Sequence, residues 1–261
     1  MRRGGFDLAV LLDDSHDLML HARLAGIPLR VGVWRGRKFG WCYTAAVAFA
    51  SHGHELRDNL RSLLDLLEAP MGDPRPALFP DAADRQAAET ALAEVGLGSA
   101  RLAVIHPGAS DVRRQWPPEL WAATAKALRS MDITPLLVAG PRESDLTAQI
   151  RAMDNRVTGV DRQLSILQLA ALFARSAVVL CGDTGPMHIA AAMRTPVVAL
   201  FGPSDPERDG PFGEEHVCLQ GACSCATRSV ATCTKTCLRS IRPEDVARAA
   251  AKAARVPERT P

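Results

Sequence analysis

Short runs rich in valine, isoleucine and leucine alternate along this chain with longer stretches whose apolar positions recur at helical spacing. A brief continuous apolar run suits a strand covered on both faces, and the amphipathic stretches between such runs supply the covers. Strands are therefore expected at residues 6–12, 29–34, 102–106, 135–139, 177–181 and 196–201. Helices are expected at 16–24, 54–67, 85–95, 118–130, 144–153, 165–175 and 185–193. Pro243, followed by Glu244 and Asp245, opens one more alanine-rich helix, because proline fits the first helical position and acids suit the positive helix end. The alternation predicts the α/β class with parallel sheets.

Pro70, Pro74, Pro76 and Pro80 interrupt the pattern between residues 69 and 84, and this stretch reads as a loop near a domain boundary. The expected division is a first domain over 1–83, a second over 84–255, entered through the helix at 85–95, and a frayed tail at 256–261. No internal repeat or low-complexity tract is visible.

At 261 residues, 47% of them hydrophobic and 23% charged, the chain can bury cores for two modest domains. The net charge of +2 conceals basic clusters at residues 113–114, 35–38 and 228–242. Clusters of this size suit phosphate groups or an anionic membrane surface better than duplex nucleic acid. The first apolar run stops at Asp13 without a small-residue cleavage site, and no run reaches the roughly twenty residues of a membrane span. A cytoplasmic protein, with any membrane contact peripheral, is the expectation.

The segment AVVLCGDTGPMHIAAAMRTPVVALFGPSDP carries the strongest chemical signal. A strand there runs into Gly182, Asp183, Thr184 and Gly185, and a helix of small residues follows. A helix start at the carboxyl end of a parallel strand offers unpaired N–H groups and partial positive charge, which suits a diphosphate. Asp183 disfavours phosphate, so its carboxylate is better matched to sugar hydroxyls, and His188 stands one turn into the helix. The alternative is that Asp183 or Thr184 is only an N-cap and His188 a half-buried packing residue.

In RLAVIHPGASDVRRQWPPELWAATAKAL a strand again leads through a turn, here at Gly108, into a polar loop and a helix. Ser110 can donate to a phosphate oxygen, and Arg114 can stabilise the charge on a departing diphosphate. Trp116 and Trp121 are better read as packing residues. In LLVAGPRESDL, Glu143 follows the Gly140 turn, where a carboxylate can hold ribose hydroxyls or cap the next helix.

The strings HPGAS, RRQWPPELWA, GPRESD and GDTGPMHIAAAMRTPVVALFGPSDP resemble the signature blocks of glycosyltransferase family nine, the ADP-heptose:lipopolysaccharide heptosyltransferases. FDLAVLLDD, ARLAGIPLRVGVW and HELRDNLRSLL follow the family's order more faintly. The resemblance implies a GT-B fold of two Rossmann-like parallel-sheet domains facing a cleft, the N-terminal one incomplete, with the acceptor bound by the first domain and the donor by the second. It places Asp183, Thr184, Gly185 and His188 on donor sugar and diphosphate, Ser110 on a phosphate, Glu143 on the ribose and Leu164 on the adenine face. Arg114 stands where the family often has a lysine, and its planar guanidinium changes the geometry while keeping the charge. The implied reaction moves a heptose from ADP-heptose, or a related nucleotide sugar, to an inner-core lipopolysaccharide precursor at the inner membrane surface, with inversion and without a required cofactor.

Members of the family normally begin with a strand and a Gly-Asp loop whose aspartate is the proposed general base, and this chain starts at what looks like a later strand. Asp13, Asp14 and Asp17 follow the first strand, but the family's matching strand is structural. The alternative to a transferase is thus a catalytically silent relative that only binds a nucleotide sugar. No G-x-G-x-x-G follows a strand, which disfavours a dehydrogenase, and no recognition helix or basic stripe supports DNA binding.

Cys223, Cys225, Cys233 and Cys237 crowd one segment. Four thiolates suit tetrahedral zinc or iron, yet the spacing fits a zinc ribbon poorly, and reduced thiols or an adventitious disulfide are the preferred readings.

Overall fold

The computed structural model describes residues 5–12, 16–34, 36, 39–49, 54–73, 75–140, 143–222 and 236–254. Asp13, Asp14, the basic cluster at 35 and 37–38, the basic residues at 228–235, Cys223, Cys225, Cys233 and the tail at 256–261 lie outside the described residues. The chain divides into two compact units, Met1–Pro74 and Arg75–Pro261.

In the first unit β1 (Leu8–Leu11), β2 (Leu29–Trp34) and β3 (Ala45–Ala48) form a parallel sheet in the order β1-β2-β3. Helix α1 (His16–Leu24) joins β1 to β2 and buries Met19 and Ala22 with Ile27 and Cys42. Helix α2 (Glu55–Leu66) follows β3 and buries Leu63 against Val31 and Val33. Arg30 is buried in the sheet and donates from Nε to the Cys42 carbonyl at 2.6 Å and from Nη1 to the Pro28 carbonyl at 2.9 Å.

The second unit carries β4 (Leu102–His106), β5 (Thr134–Val138), β6 (Thr158–Val160), β7 (Val178–Gly182), β8 (Val197–Phe201) and β9 (Val217–Gln220). All pairings are parallel and the order is β6-β5-β4-β7-β8-β9, a doubly wound sheet whose connections change direction between β4 and β7. β4, β7 and β8 are buried along their whole length, which is why they read as unbroken apolar runs.

One face is covered by α4 (Pro118–Arg129), α5 (Ser144–Met153) and α10 (Pro243–Ala253), around a core that includes Trp121, Ile150 and Val246. The other is covered by α3 (Ala82–Glu94), α6 (Ile166–Ala174) and α7 (Gly185–Ala192), which bury Leu92, Phe173 and Ala190. Two four-residue helices, α8 (Pro206–Asp209) and α9 (Thr236–Arg239), complete the unit.

Three strands escape the hydrophobic pattern. β3 is built of alanines around Val47, β6 has three residues with a central glycine, and β9 is an edge strand of alternating burial. Helix α3 starts earlier than expected because Asp81 and Asp84 form a reciprocal capping box, each side chain accepting from the other's N–H. No helix among the described residues is long and apolar enough to cross a membrane.

Candidate functional site

The carboxyl ends of β4 and β7 flank the point where the sheet changes winding direction, and in such sheets the two diverging loops leave a crevice there. The β4 loop passes through Ser110, which is exposed, into a single 3-10 turn at Val112–Arg114. The β7 loop passes through Asp183, which is buried, into α7. The approach is close: a Cβ on Gly182 would lie 3.2 Å from the Arg114 carbonyl oxygen.

Across this junction Arg114 Nη1 stands 3.0 Å from Asp183 Oδ2, with the arginine side chain 35% exposed and the aspartate 9%. The pair is close but poorly aligned, since Asp183 Oδ2 and Arg114 Nε are buried without a hydrogen bond. Its neighbour Arg113 serves Asp111 instead, donating from Nε and Nη2, and Arg113 holds the Asp111 carboxyl down at about 2. The β4 loop is fixed further by Gln115 Nε2 donating to the Ala109 carbonyl at 3.1 Å. Trp116 Nε1 donates to the Leu238 carbonyl at 2.9 Å, and the Trp116 ring meets Trp121 edge-on at 4.9 Å. Both tryptophans are buried packing residues.

Thr184 occupies the N-cap position of α7, yet its hydroxyl makes no capping bond and faces the Gly182 carbonyl at 3.5 Å. The capping explanation of Thr184 therefore does not account for its side chain. Gly185 is exposed, with open space within 4 Å of where a Cβ would stand. His188, one turn on, is exposed, which removes the half-buried alternative.

Glu143 precedes α5 and also fails to cap it. Its side chain turns back so that Oε2 accepts from the Gly140 N–H at 2.6 Å. The carboxylate lies over Gly108, where a Cβ would come 2.0 Å from Oε1, so only glycine admits it. Leu164 is half-buried at the entrance to α6 and packed on the core beneath that helix. A cavity of about 380 Å³ opens beside the β5 and β6 ends, with Gly140, Ser144, Arg151, Asp161, Arg162 and Gln163 in its wall.

One member of this group escapes sequence reasoning. His106, the last residue of β4, is buried, with Nε2 3.5 Å from Glu143 Oε2. Burial pushes its pKa below the ordinary histidine value, against the opposing pull of the Glu143 carboxylate, so it is neutral near pH 7. The available signal was a titratable residue ending an otherwise apolar, fully buried run.

Of the cysteine cluster only Cys237 is described; it is buried in α9, 3.2 Å from where a Cβ on Gly202 would stand. Burial pushes the Cys181 thiol up, which keeps it protonated near neutrality. Among the described residues no group of three or more histidine, cysteine, aspartate or glutamate side chains is arranged to hold a metal.

The site thus offers a cation, an uncapped helix start, a buried carboxylate beside them and a second carboxylate near a cavity. That set can bind a molecule with a negatively charged centre and hydroxyl-bearing groups on both sides.

The profile of glycosyltransferase family 9 (heptosyltransferase) matches residues 1–239. Lipopolysaccharide heptosyltransferase 2 of Salmonella typhimurium is 26% identical over 227 residues, covering 82% of this chain and 65% of the relative. Lipopolysaccharide heptosyltransferase 1 of Pseudomonas aeruginosa is 29% identical over 143 residues, 55% of this chain and 40% of the relative. The chain thus spans 40% to 65% of the length of these relatives. Among solved structures, a glycosyl transferase family 9 protein from Veillonella parvula superposes with a TM-score of 0.79 at 20% identity, over 97% of this chain and 74% of that one. The E. coli heptosyltransferase WaaC with ADP gives 0.66 at 18% identity, over 91% and 72%. The likeness bears out the GT-B class of α/β fold expected from the sequence.

Proposed function

This chain belongs to glycosyltransferase family 9, and from that premise we propose that its second unit binds ADP-heptose and that the protein transfers the heptose to a lipopolysaccharide core acceptor. The observation that carries the reading is the meeting of Arg114 and Asp183 across Gly182, beside the uncapped start of α7. The diphosphate lies between Arg114, Ser110 and the amides at Thr184 and Gly185, where cation and helix end both favour negative charge. The sugar hydroxyls face Asp183 and His188. The ribose hydroxyls face Glu143, and the base lies near Leu164. We assign acceptor recognition to the first unit and the working location to the cytoplasmic face of the inner membrane.

In the proposed reaction an acceptor hydroxyl oxygen attacks the anomeric carbon from the side opposite the diphosphate. The bond between that carbon and the phosphate oxygen breaks, and its electron pair leaves with the diphosphate. Arg114 and the α7 amides are placed to stabilise this charge as it grows, which is where such groups lower a barrier most. The attacking hydroxyl must lose its proton to a base, and the role is not assigned to Asp17, which stands exposed in the first turn of α1. No metal or other cofactor is assigned to the reaction.

The test is direct. ADP should raise the melting temperature of the wild type and do so much less for Asp183→Ala; equal shifts would reject the site. Release of ADP from ADP-heptose on adding a lipid A–Kdo acceptor distinguishes transfer from binding alone.

A further inference from the structure

We propose that His106 is a positioning residue for donor binding: its Nε2–H holds one oxygen of Glu143 so that the other faces the ligand's ribose. The inference rests on the reading of Glu143 as the ribose-binding carboxylate and concerns how that carboxylate is kept in place.

A glutamate at the start of a helix has easy alternatives, chiefly the free amides of the first helical turn. Glu143 takes none of them. Its Oε2 accepts from the Gly140 N–H at 2.6 Å and stands 3.5 Å from His106 Nε2. Oε1 lies against Gly108, on the side where the absence of a Cβ leaves room. The two oxygens are therefore unequal: one is anchored to the protein and one is left to accept hydroxyls.

The anchoring nitrogen is itself fixed. His106 ends a buried strand whose backbone pairs with β7, with His106 opposite Cys181, and its side chain is buried at that end of β4. Its Nδ1 is buried and has no hydrogen-bond partner. A neutral imidazole carries one proton; the backbone of Gly108 and of His106 also acts on the ring, and Glu143 is the charged acceptor that stands at Nε2. In the proposed arrangement the proton sits on Nε2, and the cost of leaving Nδ1 unpaired is offset by an oriented carboxylate. A ring held only for packing would have no reason to stand against a carboxylate.

Calorimetric titration of the full chain with ADP and with 2′,3′-dideoxy-ADP isolates the ribose hydroxyls. The wild type should prefer ADP by about tenfold, the scale of one hydrogen bond to a charged group. Glu143→Ala should abolish the preference, His106→Leu should abolish most of it, and His106→Gln, which returns an N–H near the position of Nε2, should restore it. A purely structural role would weaken both nucleotides alike and leave their ratio unchanged. If Glu143→Ala keeps the preference, the ribose reading is overturned; if Glu143→Ala loses it while His106→Leu keeps it, only the role of His106 is overturned. Ring-nitrogen NMR of the wild type needs no variant: a proton on Nε2 at pH 7 supports the proposal, and a proton on Nδ1 overturns it.

Discussion

At Gly108 the missing side chain matters more than any that could stand there, because the Glu143 carboxylate fills the space a Cβ would take. Gly108→Ala should therefore displace Glu143 and lower ADP affinity at least about tenfold, the equivalent of one hydrogen bond to a charged group. Titration calorimetry measures it, and an unchanged affinity would mean that Glu143 takes no part. His106 makes a separate prediction through stability. Burial lowers its folded-state pKa below the ordinary value of 6.5, so below about pH 6.5 the unfolded chain binds a proton that the folded chain refuses. Its contribution is fully present above that pH and is lost as pH falls toward the folded pKa. Melting temperatures between about pH 7.5 and 5.5 should fall less steeply for His106→Gln than for the wild type.

At the scale of elements, the loop that presents Arg114 is held from behind by Trp116, whose Nε1 donates to the Leu238 carbonyl and whose ring abuts Trp121. Trp116→Phe removes this bond and leaves the Leu238 carbonyl with the Ile241 N–H alone, which should cost about 0.5–1.5 kcal/mol in chemical denaturation. Among the elements that sequence reasoning found, β4, β7, β8, α4 and α5 stand out because their burial is continuous or their apolar stripe regular. β6, a three-residue strand around Gly159, has too little apolar length to stand out, and there the Arg151 guanidinium fills the space above the glycine. The same contrast holds for the candidate site. Asp183, Thr184 and Arg114 announced themselves through a local turn at a strand end. His106 became visible only when β5 brought Glu143 beside it, a neighbourhood made by the sheet and not by sequence spacing.

At the scale of the whole molecule, the division into Met1–Pro74 and Arg75–Pro261 falls in a stretch whose described residues between α2 and α3 form neither helix nor strand. Limited proteolysis should cut first in this stretch, where no ladder of backbone bonds protects the chain. The resulting fragment, starting near Arg75, should retain a melting shift with ADP; a fragment that unfolds or ignores ADP would show that the second unit does not hold the nucleotide by itself.

The pairing of β4 with β7 also carries a consequence for how the protein acquires its binding surface. β4 pairs with the following strand β5 on one side, but its other partner, β7, lies beyond β5, β6 and the helices between them. Contacts between remote parts of a chain form slowly, because the loop between them must be closed before they bring any gain. Arg114 and Asp183 belong to opposite sides of that pairing, so neither meets the other until the chain has closed it. A nucleotide bound across the two as proposed would have nothing to hold in the early folding chain; it would act afterwards, as a brake on unfolding.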